Sequence, residues 1–295
     1  MRPTSTARAL AGSCHPGPTL VVTALAGLLA RAAGHTWATG AVIVAAVFAG
    51  QLTIGWSNDL IDLARDQATG RSDKPLATGA VTPGVVTTAV VIAGIACVVL
   101  SAVAGWRSAV VHLGAVVGSG WAYNLGLKRR VTSWIPYAVA FGALPAVVTL
   151  ASPLACRAGV GSGIGAGIRA GVCGDAAVGA GVGAGVGGWP PWWMVATGAL
   201  LGIGAHLLNA VPDLADDAAT EVRGLPHALG ETWSRRAAVA ALAAGTVVVA
   251  GGTGRWWLLV IVGALSGVAL RGHGRTPFYA AALLALGCVV ALAFG

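Results

Sequence analysis

The sequence predicts an all-α integral membrane protein, a bundle of about nine transmembrane helices with a cytoplasmic cap that carries two Asp-rich motifs. Hydrophobic residues make up 56% of the 295 positions, charged residues make up 9%, and the mean hydropathy is +0.80. A soluble domain carries about 25% charged residues, so this chain cannot cover a soluble surface. Apolar stretches recur along the whole length, which suits a single membrane domain over residues 1–295.

Nine apolar stretches are long enough, at roughly twenty residues, to cross the hydrocarbon layer. They are Pro18–Ala33, Trp37–Trp56, Pro83–Ala104, Ala109–Leu125, Trp134–Leu150, Trp192–Leu208, Ala237–Gly252, Trp256–Leu270 and Thr276–Phe294. Arg2 and Arg8 precede the first stretch, as they do in a secretory signal. Because many further spans follow, a retained first helix is favoured.

The basic residues orient this bundle in the cell membrane. With the N-terminus inside, nine helices place 13 of the 18 Lys and Arg residues in cytoplasmic segments and 5 in outer segments, the bias that membrane proteins show. Both the N-terminus and the cap are therefore predicted to be cytoplasmic, and the C-terminus to lie outside. The net charge of +8 then reflects orientation, and no nucleic-acid partner is expected because no soluble basic domain is present.

Residues 155–188 form a Gly-rich, low-complexity segment between the fifth and sixth spans. Glycine loses the most backbone entropy on ordering and offers no side chain for packing. An extracytoplasmic loop is therefore predicted, and the alternative is a close helix contact through small residues.

The acidic residues are few and clustered. The chain has ten, of which nine lie in two groups that both follow predicted spans on the cytoplasmic side. The first group is Asp59, Asp62, Asp66 and Asp73, and the second is Asp213, Asp216, Asp217, Glu221 and Glu231. Solvated turns are the simpler explanation, but acids at helical spacing, twice, in a chain that otherwise has almost none favour a functional one.

The first cluster has the spacing of a metal-binding helix face. On a helix, Asp59, Asp62 and Asp66 lie within about 60° of one another. Three carboxylates on one stripe repel unless they share cations. Mg²⁺ suits such oxygen ligands at a membrane surface, because it uses one or two carboxylates and takes substrate phosphate oxygens for its remaining positions.

The second cluster repeats the pattern. Asn209, Asp213, Asp217 and Glu221 recur every four residues, and Asp216 lies beside that stripe. Two facing stripes would hold two or three Mg²⁺ ions with a diphosphate between them, and these ions would neutralise the charge on a departing diphosphate. Basic residues follow each cluster and are suited to phosphate oxygens: Arg71, Lys74 and Arg223.

The first motif, Asn-Asp-x-x-Asp-x-x-x-Asp, resembles that of the UbiA superfamily of intramembrane prenyltransferases and is matched from Asn58 to Asp66. The segment 74–79 and the stretch from Tyr123 to Lys128 resemble further elements of that family. The second motif is matched by Asp213 and Asp217. An acid that relatives place upstream is absent, and His206 and Asn209 occupy that stretch.

The resemblance implies an Mg²⁺-dependent enzyme that ionises an isoprenoid diphosphate and transfers its prenyl chain to an aromatic or lipid acceptor, within a cavity in contact with membrane lipids. The implied catalytic carboxylates are Asp59, Asp62, Asp66, Asp213 and Asp217, with Asp216 as a further metal ligand. The implied diphosphate contacts are Asn58, Arg71, Lys74, Tyr123, Lys128 and Arg223. Candidate contacts to the acceptor or the allylic cation are Gln51, Trp121, Asn124, His206 and Asn209.

Two other functions fit the same residues. A terpene cyclase of the same superfamily would use the same metals and let the cation attack its own double bonds. A transporter or scaffold would use the carboxylates as a cation site, but transporters place such residues near the bilayer midplane in broken helices. No motif specifies the prenyl chain length, the acceptor or the oligomeric state.

Overall fold

The computed structural model describes residues 6–152, 186–214 and 223–293, and these ranges fold into helices joined by short turns. The α-helices are α1 (Thr6–Gly12), α2 (Pro16–Ala32), α3 (Trp37–Ala68), α4 (Pro83–Ala104), α5 (Trp106–Val110), α6 (Gly118–Leu125), α7 (Trp134–Thr149), α8 (Trp192–Ala210), α9 (Leu225–Thr253), α10 (Leu258–Arg271) and α11 (Thr276–Ala293). A π-helix, Val111–Val117, joins α5 to α6, and 3-10 turns cover Leu127–Arg129 and Val211–Asp213. The predicted Gly-rich loop falls outside the described residues except at 186–188.

Several of these helices are suited to a membrane. Within the described ranges, four are long and apolar enough to cross one: α3, α4, α8 extended to Asp213, and α9. The pair α1 and α2, bent by 70° between them, would make a fifth, and α7, α10 and α11 are shorter apolar helices. The predicted all-helical class is therefore confirmed, while the count of nine spans and the cytoplasmic cap stay predictions.

Two helices extend beyond the predicted apolar spans. The second span was predicted to end at Trp56, but α3 continues to Ala68 and carries the first acidic cluster as regular helix. The seventh was predicted to begin at Ala237, but the helix begins at Leu225 and passes through a kink at Gly230. Hydropathy alone misses both extensions, because charged residues such as Arg235 and its i,i+4 partner Glu231 continue a helix as readily as apolar ones do.

The core lies between α2, α3, α7, α8, α9 and α11, where the buried side chains include Ile43, Leu144 and Leu208. At Gly202 of α8, a Cβ atom would lie 2.5 Å from the carbonyl oxygen of Tyr137 in α7. Glycine thus allows these two backbones to touch, as small residues do between membrane helices. The contact brings Tyr137 and His206 to the same part of the bundle.

A smaller cluster joins the N-terminus to the α3–α4 pair. It includes Ala9, Trp56, Leu76 and Val86, and the Trp56 indole N–H donates to the Leu10 carbonyl at 2.9 Å. The short α1 is thereby fixed against the C-terminal half of α3, next to the acidic residues.

Candidate active site

A cavity of about 250 Å³ opens among α2, α3, α6, α7, α8 and α11. Its polar lining comes from the last turns of α3 and the segments that follow α3, α6 and α8. These lining residues include Asn58, Asp62, Arg65, Arg71, Lys74, Asn124, Lys128 and Asp213. Its apolar lining comes from the middle of the helices and includes Val22, Phe141, Leu144, Leu201 and Ala285. A molecule with a charged head and an apolar tail fits this division.

Asp59, Asp62 and Asp66 lie on the buried face of α3, each about 2% exposed. Their spacing along a continuous helix puts them on one stripe, as the sequence predicted. A buried carboxylate is costly unless it is paired, and here cationic side chains from three segments supply the partners.

Lys128, in the turn after α6, pairs with Asp62 through both carboxylate oxygens, at 2.5 and 2.6 Å. Arg65 adds a second cation to the same carboxylate, at 3.0 Å from Oδ2, and also lies 3.5 Å from Asp66 Oδ1. Lys74 binds Asp59 Oδ1 at 2.5 Å and lies 3.7 Å from Asp66 Oδ2. The two lysines implied as diphosphate ligands therefore contact the carboxylates implied as metal ligands.

Asn58 is fixed by amides on the neighbouring helix. Its Nδ2 donates to Asn124 Oδ1 at 3.1 Å, and Asn124 Nδ2 donates to the Ile54 carbonyl and to the Ser57 hydroxyl. These bonds orient both asparagines at the cavity wall. Gln51, two helical turns before Asn58 on α3, also lines the cavity.

Arg71 connects the two acidic clusters. Its Nε and Nη2 donate to the two Asp73 oxygens at 2.8 and 2.9 Å, and Nη2 lies 3.6 Å from Asp213 Oδ1. The hydrogen bonds from Arg71 lower the pKa of Asp73 to about 2 and raise the pKa of Arg71. Asp213 is thus brought next to the first cluster, as two facing stripes require.

An aromatic group borders the apolar part of the cavity. The His206 ring lies 4.8 Å from the Tyr137 ring and 5.8 Å from the Tyr123 ring, between centroids. Its Nε2 is bonded to the Ser133 hydroxyl at 3.0 Å, whereas the buried Nδ1 has no partner among the described residues. Asn209, one turn further along α8, contacts the Tyr137 side chain.

Some candidates lie elsewhere. Trp121 is not among the cavity-lining residues so far as the chain is described, and its indole N–H donates to Thr53 at 3.3 Å. Arg223 is exposed at the start of the third described range. Asp216, Asp217 and Glu221 lie outside the described residues.

Sequence reasoning missed three residues of the site: His15, Arg65 and Tyr137 line the cavity. His15 Nε2 lies 3.0 Å from Asp59 Oδ1, a contact across 44 positions that no periodicity reveals. Arg65 could have been predicted from the sequence, because an Arg three residues after Asp62 on a helix is placed to pair with it.

The carboxylates are the oxygen ligands that a hard cation prefers, but they are not arranged around a common point. In the described ranges, no three His, Cys, Asp or Glu side chains are arranged to hold a metal ion; lysine and arginine separate the acids. Asp59 Oδ2, however, is buried and finds no hydrogen-bond partner in the described part of the chain. A buried, unpaired carboxylate oxygen in an all-oxygen donor set is what Mg²⁺ binds, so the residues fit the ion.

The sequence profile of the UbiA prenyltransferase family matches residues 20–277. Among solved structures, the apo form of a UbiA homologue from Aeropyrum pernix K1 has 17% sequence identity and a TM-score of 0.66, covering 94% of this chain and 95% of that chain. A UbiA homologue from Archaeoglobus fulgidus bound to DMAPP and Mg²⁺ has 14% identity and a TM-score of 0.62, covering 96% and 98%.

A structure of digeranylgeranylglyceryl phosphate synthase has 12% identity and a TM-score of 0.59, covering 99% of this chain and 98% of that chain. At these identities the similarity establishes the fold alone. Comparison with curated protein sequences finds no match.

Proposed function

Because the chain belongs to the UbiA prenyltransferase family, we propose that it is an Mg²⁺-dependent enzyme that ionises an isoprenoid diphosphate and transfers the prenyl chain to an aromatic or lipid acceptor. The predicted family is confirmed, and the protein is an integral membrane protein. We further propose nine spans, with the N-terminus and the cap that carries the two acidic clusters on the cytoplasmic side and the C-terminus outside.

One observation carries this function: the buried Asp62, Lys74 and Lys128 line the polar end of an otherwise apolar cavity, and Lys74 also contacts the buried carboxylates of Asp59 and Asp66. A diphosphate with a hydrocarbon tail matches that arrangement in charge and polarity. Related proteins support the substrate class, because the Archaeoglobus fulgidus homologue has been solved with DMAPP and Mg²⁺ and with GPP and Mg²⁺.

In this proposal Asp59, Asp62 and Asp66 hold metal on one side of the diphosphate, and Asp213, Asp216 and Asp217 hold it on the other. Two or three bridging Mg²⁺ ions would supply Lewis-acid stabilisation of the charge that develops on the leaving diphosphate. Asp213 Oδ1 and Arg71, 3.6 Å apart, mark where the two sets approach each other.

The cations of the site have a second role. With the carboxylates holding metal, Lys74 and Lys128 would donate hydrogen bonds to diphosphate oxygens, so one set of charge-assisted bonds would replace another. Asn58, Arg71, Tyr123 and Arg223 complete the proposed diphosphate contacts. Heterolysis breaks the C1–O bond, and the electron pair leaves with the diphosphate.

The acceptor then forms a bond to C1 and loses a proton. Gln51, Asn124 and Asn209 are the proposed polar contacts to the acceptor, and Trp121 remains a candidate aromatic contact to the cation. His206 is the proposed proton acceptor, since its Nδ1 atom has no partner in the described ranges and ionisable groups at membrane depth are functional by default.

The test is incubation of membranes with Mg²⁺ and a panel of labelled prenyl diphosphates of different lengths, followed by mass spectrometry. An adduct that forms only when an aromatic or lipid acceptor is added supports transfer and identifies the acceptor. Carbocyclic products without an acceptor would replace transfer by cyclisation. No consumption of any diphosphate would contradict both enzymes and favour a transporter or scaffold.

A further inference from the structure

His15 holds an unusual backbone conformation beside the acidic cluster. It forms the bend between α1 and α2 with φ 54° and ψ 66°, and within the described ranges no other residue except glycine has positive φ. The left-handed region is disfavoured for residues with a Cβ atom. Such strain persists where the surrounding structure enforces it, and it is concentrated at functional sites.

The surroundings of His15 do enforce this bend. A Cβ atom at Gly55 of α3 would lie 2.2 Å from the Cys14 carbonyl oxygen, so the chain just before His15 touches the α3 backbone. The Thr19 hydroxyl donates to the same carbonyl at 2.9 Å. The bend is therefore fixed to α3 one turn before Asp59.

Two polar groups meet at one oxygen of Asp59. His15 Nε2 lies 3.0 Å from Oδ1, Lys74 Nζ lies 2.5 Å from it, and these two nitrogen atoms are 3.3 Å apart. The other oxygen, Oδ2, is buried and has no partner among the described side chains. One oxygen of Asp59 thus has two partners, and the other is a buried acceptor without a hydrogen-bond partner in the described ranges.

The hydrogen positions follow from the chemistry of the groups. An ionised carboxylate only accepts hydrogen bonds, and lysine only donates them. Both His15 Nε2–H and Lys74 therefore donate to Oδ1, and the short contact between the two nitrogens joins two donors. This unfavourable contact between two donors favours the loss of one of them from Oδ1. A diphosphate would attract the charged Lys74 ammonium.

We propose that His15 is a positioning residue that holds Asp59 by Oδ1 and presents Oδ2 to Mg²⁺, and that it keeps this hold after Lys74 moves to the diphosphate. The inference rests on the proposed function. A histidine donor behind a metal-binding carboxylate fixes its orientation, and loss of such outer partners typically weakens metal binding about 10–100-fold.

The experiment compares His15→Gln with His15→Asn in the full-length protein in detergent. The Gln amide reaches the position of Nε2, whereas the shorter Asn tolerates the left-handed backbone but does not reach Asp59. His273→Asn, at an exposed position, is the matched control. The readout is the Mg²⁺ concentration that gives half of the thermal stabilisation in the presence of inorganic pyrophosphate.

We expect His15→Asn to raise this Mg²⁺ midpoint by at least about tenfold, and His15→Gln and His273→Asn to leave it near that of the wild type. A wild-type midpoint in His15→Asn would overturn the positioning role and leave the proposed function intact. If His15→Asn does not fold, His15→Gly, which relaxes the backbone and removes the donor, carries the same expectation. A wild-type protein that responds neither to Mg²⁺ with pyrophosphate nor to any prenyl diphosphate would overturn the proposed function itself.

Discussion

Lys128 and Asp62 form a closed ion pair in which the ammonium nitrogen lies 2.5 and 2.6 Å from the two carboxylate oxygens. The side chains are 6% and 2% exposed, and 66 positions of sequence separate them. The pair joins the end of α3 to the turn after α6. Each partner therefore depends on the other to remain charged away from water.

Asp62→Ala is expected to abolish turnover and to destabilise the protein by about 3–5 kcal/mol, since it leaves the buried Lys128 charge without its carboxylate. Lys128→Met is expected to cost less, because Arg65 still pairs with Asp62 at 3.0 Å. The double variant Asp62→Ala/Lys128→Met should regain most of the lost stability but should remain without turnover. Unfolding in detergent and a product assay measure the two properties, and a double variant no more stable than Asp62→Ala would contradict the pairing argument.

Asp217→Ala tests the second motif, whose later residues lie outside the described ranges. Loss of a metal-binding carboxylate is expected to lower kcat by at least about 10²-fold, the size of effect seen when one group stabilising transition-state charge is removed. Glu231→Gln is the control, because Glu231 is exposed in α9 and pairs with Arg235. Equal turnover in the two variants would remove Asp217 from the proposed metal site.

Gly55→Ala tests the contact between α3 and the N-terminal bend. The added Cβ would lie 2.2 Å from the Cys14 carbonyl oxygen, and backbone cannot move aside as a flexible side chain can. We expect the free energy of unfolding to fall by at least about 3 kcal/mol, the upper end of the range typical of overpacking, together with reduced Mg²⁺ affinity. Gly94→Ala in α4 meets no atom within 4 Å and should be neutral or slightly stabilising.

The Arg71–Asp73 pair predicts competition for the diphosphate. Asp73→Asn removes one carboxylate that competes for the Arg71 guanidinium and should tighten binding of inorganic pyrophosphate about twofold to fivefold, which corresponds to the free energy of an exposed ion pair. Because Arg71 lowers the pKa of Asp73 from 3.8 to about 2, the stabilisation from this pair is present above pH 3.8 and is lost as the pH falls through about 2. The gain in affinity should therefore be the same at pH 5 and pH 8. A gain that disappears between these two values would mean that Asp73 is not the competing group.

The acidic stripe could be predicted because helical spacing needs only local information. Asp59, Asp62 and Asp66 lie where the three- and seven-residue separations put them, on a helix that continues to Ala68. Their cation partners could not be predicted in the same way. Lys74 and Lys128 were expected on a diphosphate, but burial of three carboxylates requires nearby positive charge, and these lysines are within reach.

His15 and Tyr137 could not be predicted as site residues from the sequence, because packing between distant segments places them at the cavity. His15 precedes a proline at the start of an apolar helix, and a single histidine there belongs to no recognisable motif. It contacts Asp59 only because Gly55 lets the bend approach α3. Trp121 stays a prediction: Tyr123, two residues later, lines the cavity, whereas the Trp121 indole N–H donates to the Thr53 hydroxyl. Which face of a helix meets a cavity depends on the helices packed around it.

The length of α3 has a consequence for the membrane around the protein. Its 32 residues form a rod of about 48 Å, against a hydrocarbon thickness of about 30 Å. The apolar part and the acidic part are one rigid body, with no hinge between the lipid-embedded end and the carboxylates. If a thinner or thicker bilayer changes the tilt of such a helix, the carboxylates would move with it relative to Lys128 on the neighbouring segment. We therefore expect the acyl-chain length of the host lipid to affect the proposed metal site.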